Sequence, residues 1–251
     1  MPLQTVEPQR LYRQIAEQLR TLINAGEFEV GKRLPAERDL ARQLGVSRPS
    51  VREALIAMEV EGWVEVRTGS GVYVLDHSNH ASNNNRAGRA SKLSKDEWGP
   101  LELIRARRVI EGEVAFMAAT QAKRNHLEAM AAAISSMKSD ADQGILPLDG
   151  DRAFHTAIVE SCGNVVLIET VQRFWDSRRG PVFEKLVGHF ETVDSWRAAI
   201  AEHEAIFEAV RSHDTAAARL AMHEHMDRSH ARFSVSWSKT KPNKSLQKAG
   251  I

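Results

Sequence analysis

Asp151 and His155 stand four residues apart, so a helix carrying them projects a carboxylate and an imidazole from one face. Phe154, Ile158 and Val159 crowd the same stretch and set that face at least partly in an apolar interior. His203 falls three residues after Ile200 and three before Ile206, and His225 lies four after Ala221 and three after Met222. Three imidazoles and one carboxylate on core-facing stripes make the donor set of a first-row divalent ion such as Zn²⁺, Ni²⁺ or Mn²⁺. A buried carboxylate also needs a cation or hydrogen-bond donors to offset its lost hydration. Hydrogen-bonded core histidines would produce the same pattern, and spacing alone leaves both readings open. His189, His213, His223 and His230 carry no ligand argument, although His223 rivals His225 as the inward-facing member of the last helix.

A second constellation lies nearer the N-terminus. Leu34-Pro-Ala-Glu-Arg38 opens a stretch that runs to Leu55 and reads as two short helices joined at Gly45. Ser47 caps the second, and Arg48, Ser50 and Arg52 crowd its first turns. A helix start with free N–H groups, a favourable dipole and cationic side chains suits a DNA major groove. Val51, Leu55 and Met58 form the buried stripe of this helix, with Arg48 and Arg52 expected together on the opposite side. Arg38, Arg42 and Arg67 add cations nearby. Their placement matters more than the overall balance, since the whole chain carries only +1.

The elements that must hold these residues follow from periodicity and punctuation. Leu11, Ile15, Leu19, Leu22 and Ile23 recur at helical spacing, and Gly26 stops that helix. Val64 and Val66 alternate with charged residues, Gly69-Ser70-Gly71 turns, and Val72 and Val74 return as a two-stranded wing. From residue 76 to 98 Asn, Ser and Gly dominate without apolar period, which predicts a flexible linker. Beyond it helical periods cover about 101–122, 124–139, 150–161, 164–177, shorter pieces to Phe190, 194–211 and 214–234. The expected fold is mostly α: a winged helix-turn-helix over 8–75 and an antiparallel all-α bundle over 99–234. A basic tail, 235–251, with Lys239, Lys241, Lys244 and Lys248, is expected to be disordered.

Length and composition agree with this division. A chain of 251 residues can build two independent cores. No apolar run has the length of a membrane span, and no secretory pattern opens the chain. The single cysteine, Cys162, excludes an intramolecular disulfide and fits a reducing compartment. A cytoplasmic protein, on the nucleoid when bound to DNA, is expected.

The N-terminal segment, with Leu34-Pro-Ala-Glu-Arg38, Val46-Ser-Arg48, Val51-Arg-Glu-Ala-Leu55, Glu61-Gly62 and Gly69-Ser-Gly71, resembles the GntR family of bacterial transcription regulators. The helical half, with Arg107-Arg-Val-Ile-Glu111, Asp151-Arg-Ala-Phe-His155, Gly163-Asn164, Glu202-His203 and His225-Met226, resembles the FadR-type ligand domain known as FCD. The two together span most of residues 10–234. The resemblance implies DNA contacts from Arg38, Ser47, Arg48, Ser50 and Arg52, with Thr68 and Gly69 at a wing tip in the minor groove. Pro49 departs from the hydroxyl common at its position, which puts one contact in doubt. The resemblance also implies metal ligation by Asp151, His155, His203 and His225, with coordination positions left for water or an effector carboxylate. Arg107 is the residue expected to pair with that carboxylate. Within the subfamily Met58-Glu-Val-Glu-Gly-Trp-Val-Glu-Val-Arg67, Gly99-Pro-Leu-Glu-Leu103 and Phe174-Trp-Asp-Ser-Arg178 resemble hexuronate-utilisation regulators of enteric bacteria. Trp175 and Arg178 would then lie over the ligand, Trp175 against a sugar face and Arg178 on a carboxylate or hydroxyl.

The resulting expectation is a homodimeric repressor, not an enzyme, on a palindromic operator in double-stranded DNA, released by a small sugar acid bound beside a divalent ion. Lactate, another hydroxy acid or a dicarboxylate is an alternative effector. A metal-dependent enzyme fused to a DNA-binding head is the other class, and turnover assays on sugar acids separate it from a sensor.

Overall fold

Tyr12, Ile15, Ala16, Leu19 and Ile23 bury one stripe of α1 (Leu11–Asn24), the face the apolar spacing marks out. The structure, a computed structural model, describes residues 10–76 and 97–234. Those residues divide into two compact units: 10–76, 97–101 and 181–186 form the first, and 102–180 with 187–234 the second.

In the first unit α2 (Glu37–Leu44) ends at Gly45, and α3 (Arg48–Val60) starts from Ser47. The Ser50 N–H donates to Ser47 Oγ at 3.2 Å, satisfying one of the unpaired donors of the helix start. Pro49 sits in the first turn, where a missing N–H costs nothing. Strands β1 (Val64–Arg67) and β2 (Gly71–Val74) pair antiparallel, with Val64 opposite Val74 and Val66 opposite Val72, their side chains buried. Residues 31–34 run beside β2: the Leu34 N–H donates to the Val72 carbonyl at 2.8 Å, and the Val74 N–H to the Lys32 carbonyl at 3.0 Å. Gly71, at φ +135°, lets the Arg33 side chain cross where a Cβ would stand.

Two features of this unit went beyond the sequence reading. Glu53 of α3 accepts from the Leu101 N–H at 2.6 Å. Residues 181–186, expected in the helical domain, belong to the first unit. There the Val182 N–H donates to Glu97 Oε1 at 3.3 Å, and Lys185 Nζ lies 3.6 Å from Glu59 Oε1.

The second unit is all-helical among the described residues: α4 (Pro100–Gln121, from Glu102), α5 (Arg124–Asp142), α6 (Leu148–Ser161), α7 (Val165–Ser177), the end of α8 (Pro181–Phe190), α9 (Val193–Arg211) and α10 (Thr215–Phe233). These match the periodic stretches closely, except that α8 is one helix rather than shorter pieces. Asn164 and Asp214 cap α7 and α10 by accepting from backbone N–H groups. Met130, Met137, Phe154, Ile158, Val171, Ile206, Val210 and Met222 fill one core. No helix of the described residues is long and apolar enough to cross a membrane. The expected linker, apart from Asp76, Glu97 and Trp98, and the basic tail lie outside the described residues.

Candidate metal centre and nucleic-acid interface

α6, α9 and α10 bring Asp151, His155, His203 and His225 together in the second unit. One ligand atom from each lies within 4.8 Å of the others, and all four side chains are buried. The imidazoles sit with ring centroids 4.4–5.4 Å apart. His203 and His225 are held from behind by hydrogen bonds, while His155 approaches a carboxylate. His203 Nδ1 donates to the Ala199 carbonyl at 2.7 Å, one turn back on α9. His225 Nδ1 donates to Glu202 Oε2 at 2.8 Å, and Glu202 also accepts from Arg232. His155 Nδ1 lies 2.5 Å from Glu111 Oε2. Anchoring Nδ1 on a carbonyl or carboxylate sets the tautomer and aims Nε2 at the centre, as metal-binding histidines require.

The fit to a cation rests on what remains unmatched. His203 Nε2, 3.0 Å from Asp151 Oδ1, faces it with a lone pair unless a proton or cation stands between them. His155 Nε2 is 3.5 Å from the same oxygen. Neither His155 nitrogen meets hydrogen-bond geometry despite these approaches, so both are buried without a proper partner. Three imidazole nitrogens and one carboxylate oxygen converging in this way suit Zn²⁺, Ni²⁺ or Mn²⁺.

Electrostatics keep His225 and Asp151 available as donors. Burial, then the neighbouring His203 and His155, hold His225 well below the usual histidine range, so its lone pair is free at neutral pH. Burial alone would raise the Asp151 carboxyl, but Arg178 and the approach of His155 and His203 hold it well below the carboxylate range. Glu111 follows the same logic: burial opposes its charge, yet Arg107 and His155 bring it down to about 2. His155 is pushed down by burial and up more strongly by Glu111 and Asp151.

The three expected effector residues surround this cluster but are already engaged. Arg107 grips Glu111 through two nitrogens at 2.5 and 3.3 Å. Arg178 Nη1 donates to Asp151 Oδ2 at 2.8 Å. Their guanidinium carbons lie 4.4 and 4.1 Å from the Trp175 ring centroid, and the His155 ring lies 5.2 Å from it. The indole face expected to take a sugar therefore carries guanidinium groups instead.

Sequence reasoning missed Glu111, Glu202 and Glu191 as parts of the site, because a carboxylate in a charged helix advertises no burial. Glu191, 3% exposed, accepts from Trp196 Nε1 at 2.8 Å. Burial pushes its carboxyl up to about 7 against the pull of Arg178 and Arg232. The folded chain thus keeps a proton that the unfolded chain, at 4.5, has lost. Stability falls as pH rises from 4.5 toward 7, and the penalty is fully present above that. Glu191→Gln is expected to stabilise by up to ~3 kcal/mol at pH 8 and by nothing at pH 4, read from melting temperatures across pH.

In the first unit Arg38 and Arg48 are exposed on α2 and α3, and Ser47 and Gly69 are exposed at the helix start and wing tip. Ser50 and Thr68 are half-buried. Arg52 is a correction. It is 1% exposed, and its Nε and Nη2 donate to Glu37 Oε1 and Oε2 at 2.8 and 2.6 Å. The helix is buried on more than its Val51 stripe, because α2 covers the Arg52 flank, so Arg48 and Arg52 do not share a solvent face.

Comparison with known proteins bears on both units. Residues 11–74 match the family described as bacterial regulatory proteins, gntR family, and residues 102–228 match the FCD domain. The chain is 36% identical over 232 residues to the Exu regulon transcriptional regulator of Escherichia coli (strain K12), covering 90% of this chain and 85% of that protein. It is 35% identical over 222 residues to the Uxu operon transcriptional regulator of the same organism, covering 87% and 85%. A putative L-lactate dehydrogenase operon regulatory protein of that organism is similar at 31% identity over 223 residues, covering 88% and 85%.

Proposed function

This chain belongs to the gntR family of bacterial regulatory proteins and carries an FCD domain, and from that premise we propose that it represses a carbohydrate-acid catabolic operon in response to a hexuronate. It is a DNA-binding transcription regulator rather than an enzyme, as its relatives are regulators. The DNA-reading unit is built on 8–75 with 97–101 and 181–186 packed into it, the rest of 99–234 is the effector and dimerisation domain, and the linker lies within 76–98. Arg38, Ser47, Arg48, Ser50, Thr68 and Gly69 face the operator, and Arg52 braces the reading helix through Glu37. Two copies present two such helices to the half-sites of a palindrome.

Asp151, His155, His203 and His225 would hold a divalent ion, which supplies a Lewis-acidic anchor for an acid group. Arg107 and Arg178 are already paired with Glu111 and Asp151, so the ion itself would supply the positive charge an anion needs. The observation that carries this reading is the convergence of those four donors, with His203 and His225 anchored from behind. Effector binding shifts DNA affinity only if the acid binds the two arrangements of the dimer with different strength.

The test uses operator DNA from the chain's own promoter region in fluorescence anisotropy. Arg48→Ala is expected to weaken binding about 10- to 100-fold with unchanged helicity, and millimolar D-glucuronate or D-galacturonate to release the wild-type complex. Unaltered affinity in Arg48→Ala would remove the DNA assignment, and release by neither acid the effector assignment. The likeness to the lactate-operon regulator favours one second reading, in which L-lactate takes the same site. Calorimetry with lactate beside the two uronates separates them.

A further inference from the structure

Trp175 lies in the interior of the second unit, 4% exposed, and its indole Nε1–H has no hydrogen-bond acceptor among the described residues. A buried donor left unmatched costs more than a made hydrogen bond returns, because its lost hydration is not replaced, so such a group points to an acceptor that completes it. The ring's environment says where that acceptor comes from. Arg107 and Arg178 stack within 4.4 Å of the ring centroid, and His155 of the ion site lies 5.2 Å away. Arg107 is committed to Glu111, and Arg178 to Asp151. Both cations therefore spend charge on carboxylates of the ion site, and neither presents an unengaged guanidinium to an incoming acid. Among these three residues the Trp175 N–H is the polar group with its capacity unspent.

We infer that Trp175 is a specificity-determining donor, its indole N–H reading a hydroxyl or carbonyl oxygen of the effector whose acid group is held at the ion site. This rests on the effector site proposed above and narrows the effector to acids carrying a further oxygen beyond the group at the ion. It also reverses the expected role of the side chain, which works through its edge and not as a platform for a sugar face. A site that satisfies a buried N–H through the ligand rejects analogues lacking that oxygen more strongly than an apolar wall could.

Trp175→Phe keeps an aromatic ring for the two guanidinium groups and removes the pyrrole ring that carries the N–H. The ion-loaded full-length chain is expected to keep its metal content by elemental analysis and to melt within about 2 °C of wild type, while D-galacturonate and D-glucuronate bind about 10- to 100-fold more weakly by calorimetry. In wild type labelled with ¹⁵N at the indoles, the Trp175 resonance, assigned through its proximity to His155, is expected to move downfield and exchange more slowly with uronate bound. This arm needs no variant and holds even if Trp175→Phe is unstable. Uronate affinities within about twofold in the two proteins, an unmoved resonance, or loss of metal from the variant would each overturn the donor role and leave the proposed function standing. Failure of wild type to bind either uronate while retaining the ion would overturn the effector class, and this inference with it.

Discussion

Replacing Glu37 by alanine is expected to destabilise the DNA-reading unit by about 3–5 kcal/mol, because it strands the Arg52 guanidinium in the interior without its carboxylate. The pair is bidentate, with Arg52 1% exposed and the Glu37 side chain 5% exposed, so water cannot take over from either partner. Hydrogen exchange resolved to α2 and α3 is the measurement, since the second unit can keep its own protection. Glu37→Ala combined with Arg52→Met is expected to recover most of the loss, an apolar side chain of similar length needing no counter-charge. A double variant as unstable as the single one would show that other contacts of Arg52, not the ion pair, hold the reading helix.

His203→Ala is expected to lower affinity for Zn²⁺ by more than about 100-fold and to abolish the difference in melting temperature with and without chelator. His203 is the ligand with no charged group behind it: a main-chain carbonyl orients its ring, so the substitution removes a donor and leaves Asp151 still paired with Arg178. Wild type should melt several degrees lower after chelation, because an ion bound only by the folded chain stabilises it by mass action. Stoichiometric Zn²⁺ in the purified variant would refute the proposed ligand set.

The helices were legible because amphipathic stripes, capping side chains and glycine stops all agree along this chain. Asn164 and Asp214 cap where the periodicity restarts, and Ser47 begins α3 as its side chain requires. The four-residue interval of Asp151 and His155 was equally readable, since it fixes a shared face before any tertiary contact forms. What escaped was whatever depends on a neighbour distant in sequence. Arg52 looks solvent-facing on its own helix, and only Glu37, fifteen residues earlier, explains its burial. Glu111 and Glu202 are ordinary helical carboxylates until His155 and His225 arrive against them. Residues 181–186 belong to the first unit through Glu59 and Glu97, partners no local pattern names.

Gly112 settles the rivalry between His223 and His225. Two residues apart on α10, the rings point to different sides: His225 toward the ion site, while His223 lies where a Gly112 side chain would stand on α4. A glycine inside a helix sacrifices about 0.5–1 kcal/mol relative to alanine, so its occurrence here goes with the close seating of that ring. The imidazole fills the space of a one-residue notch. A side chain at position 112 would have to displace that ring, so Gly112→Ala is expected to disturb the seating of α10 against α4.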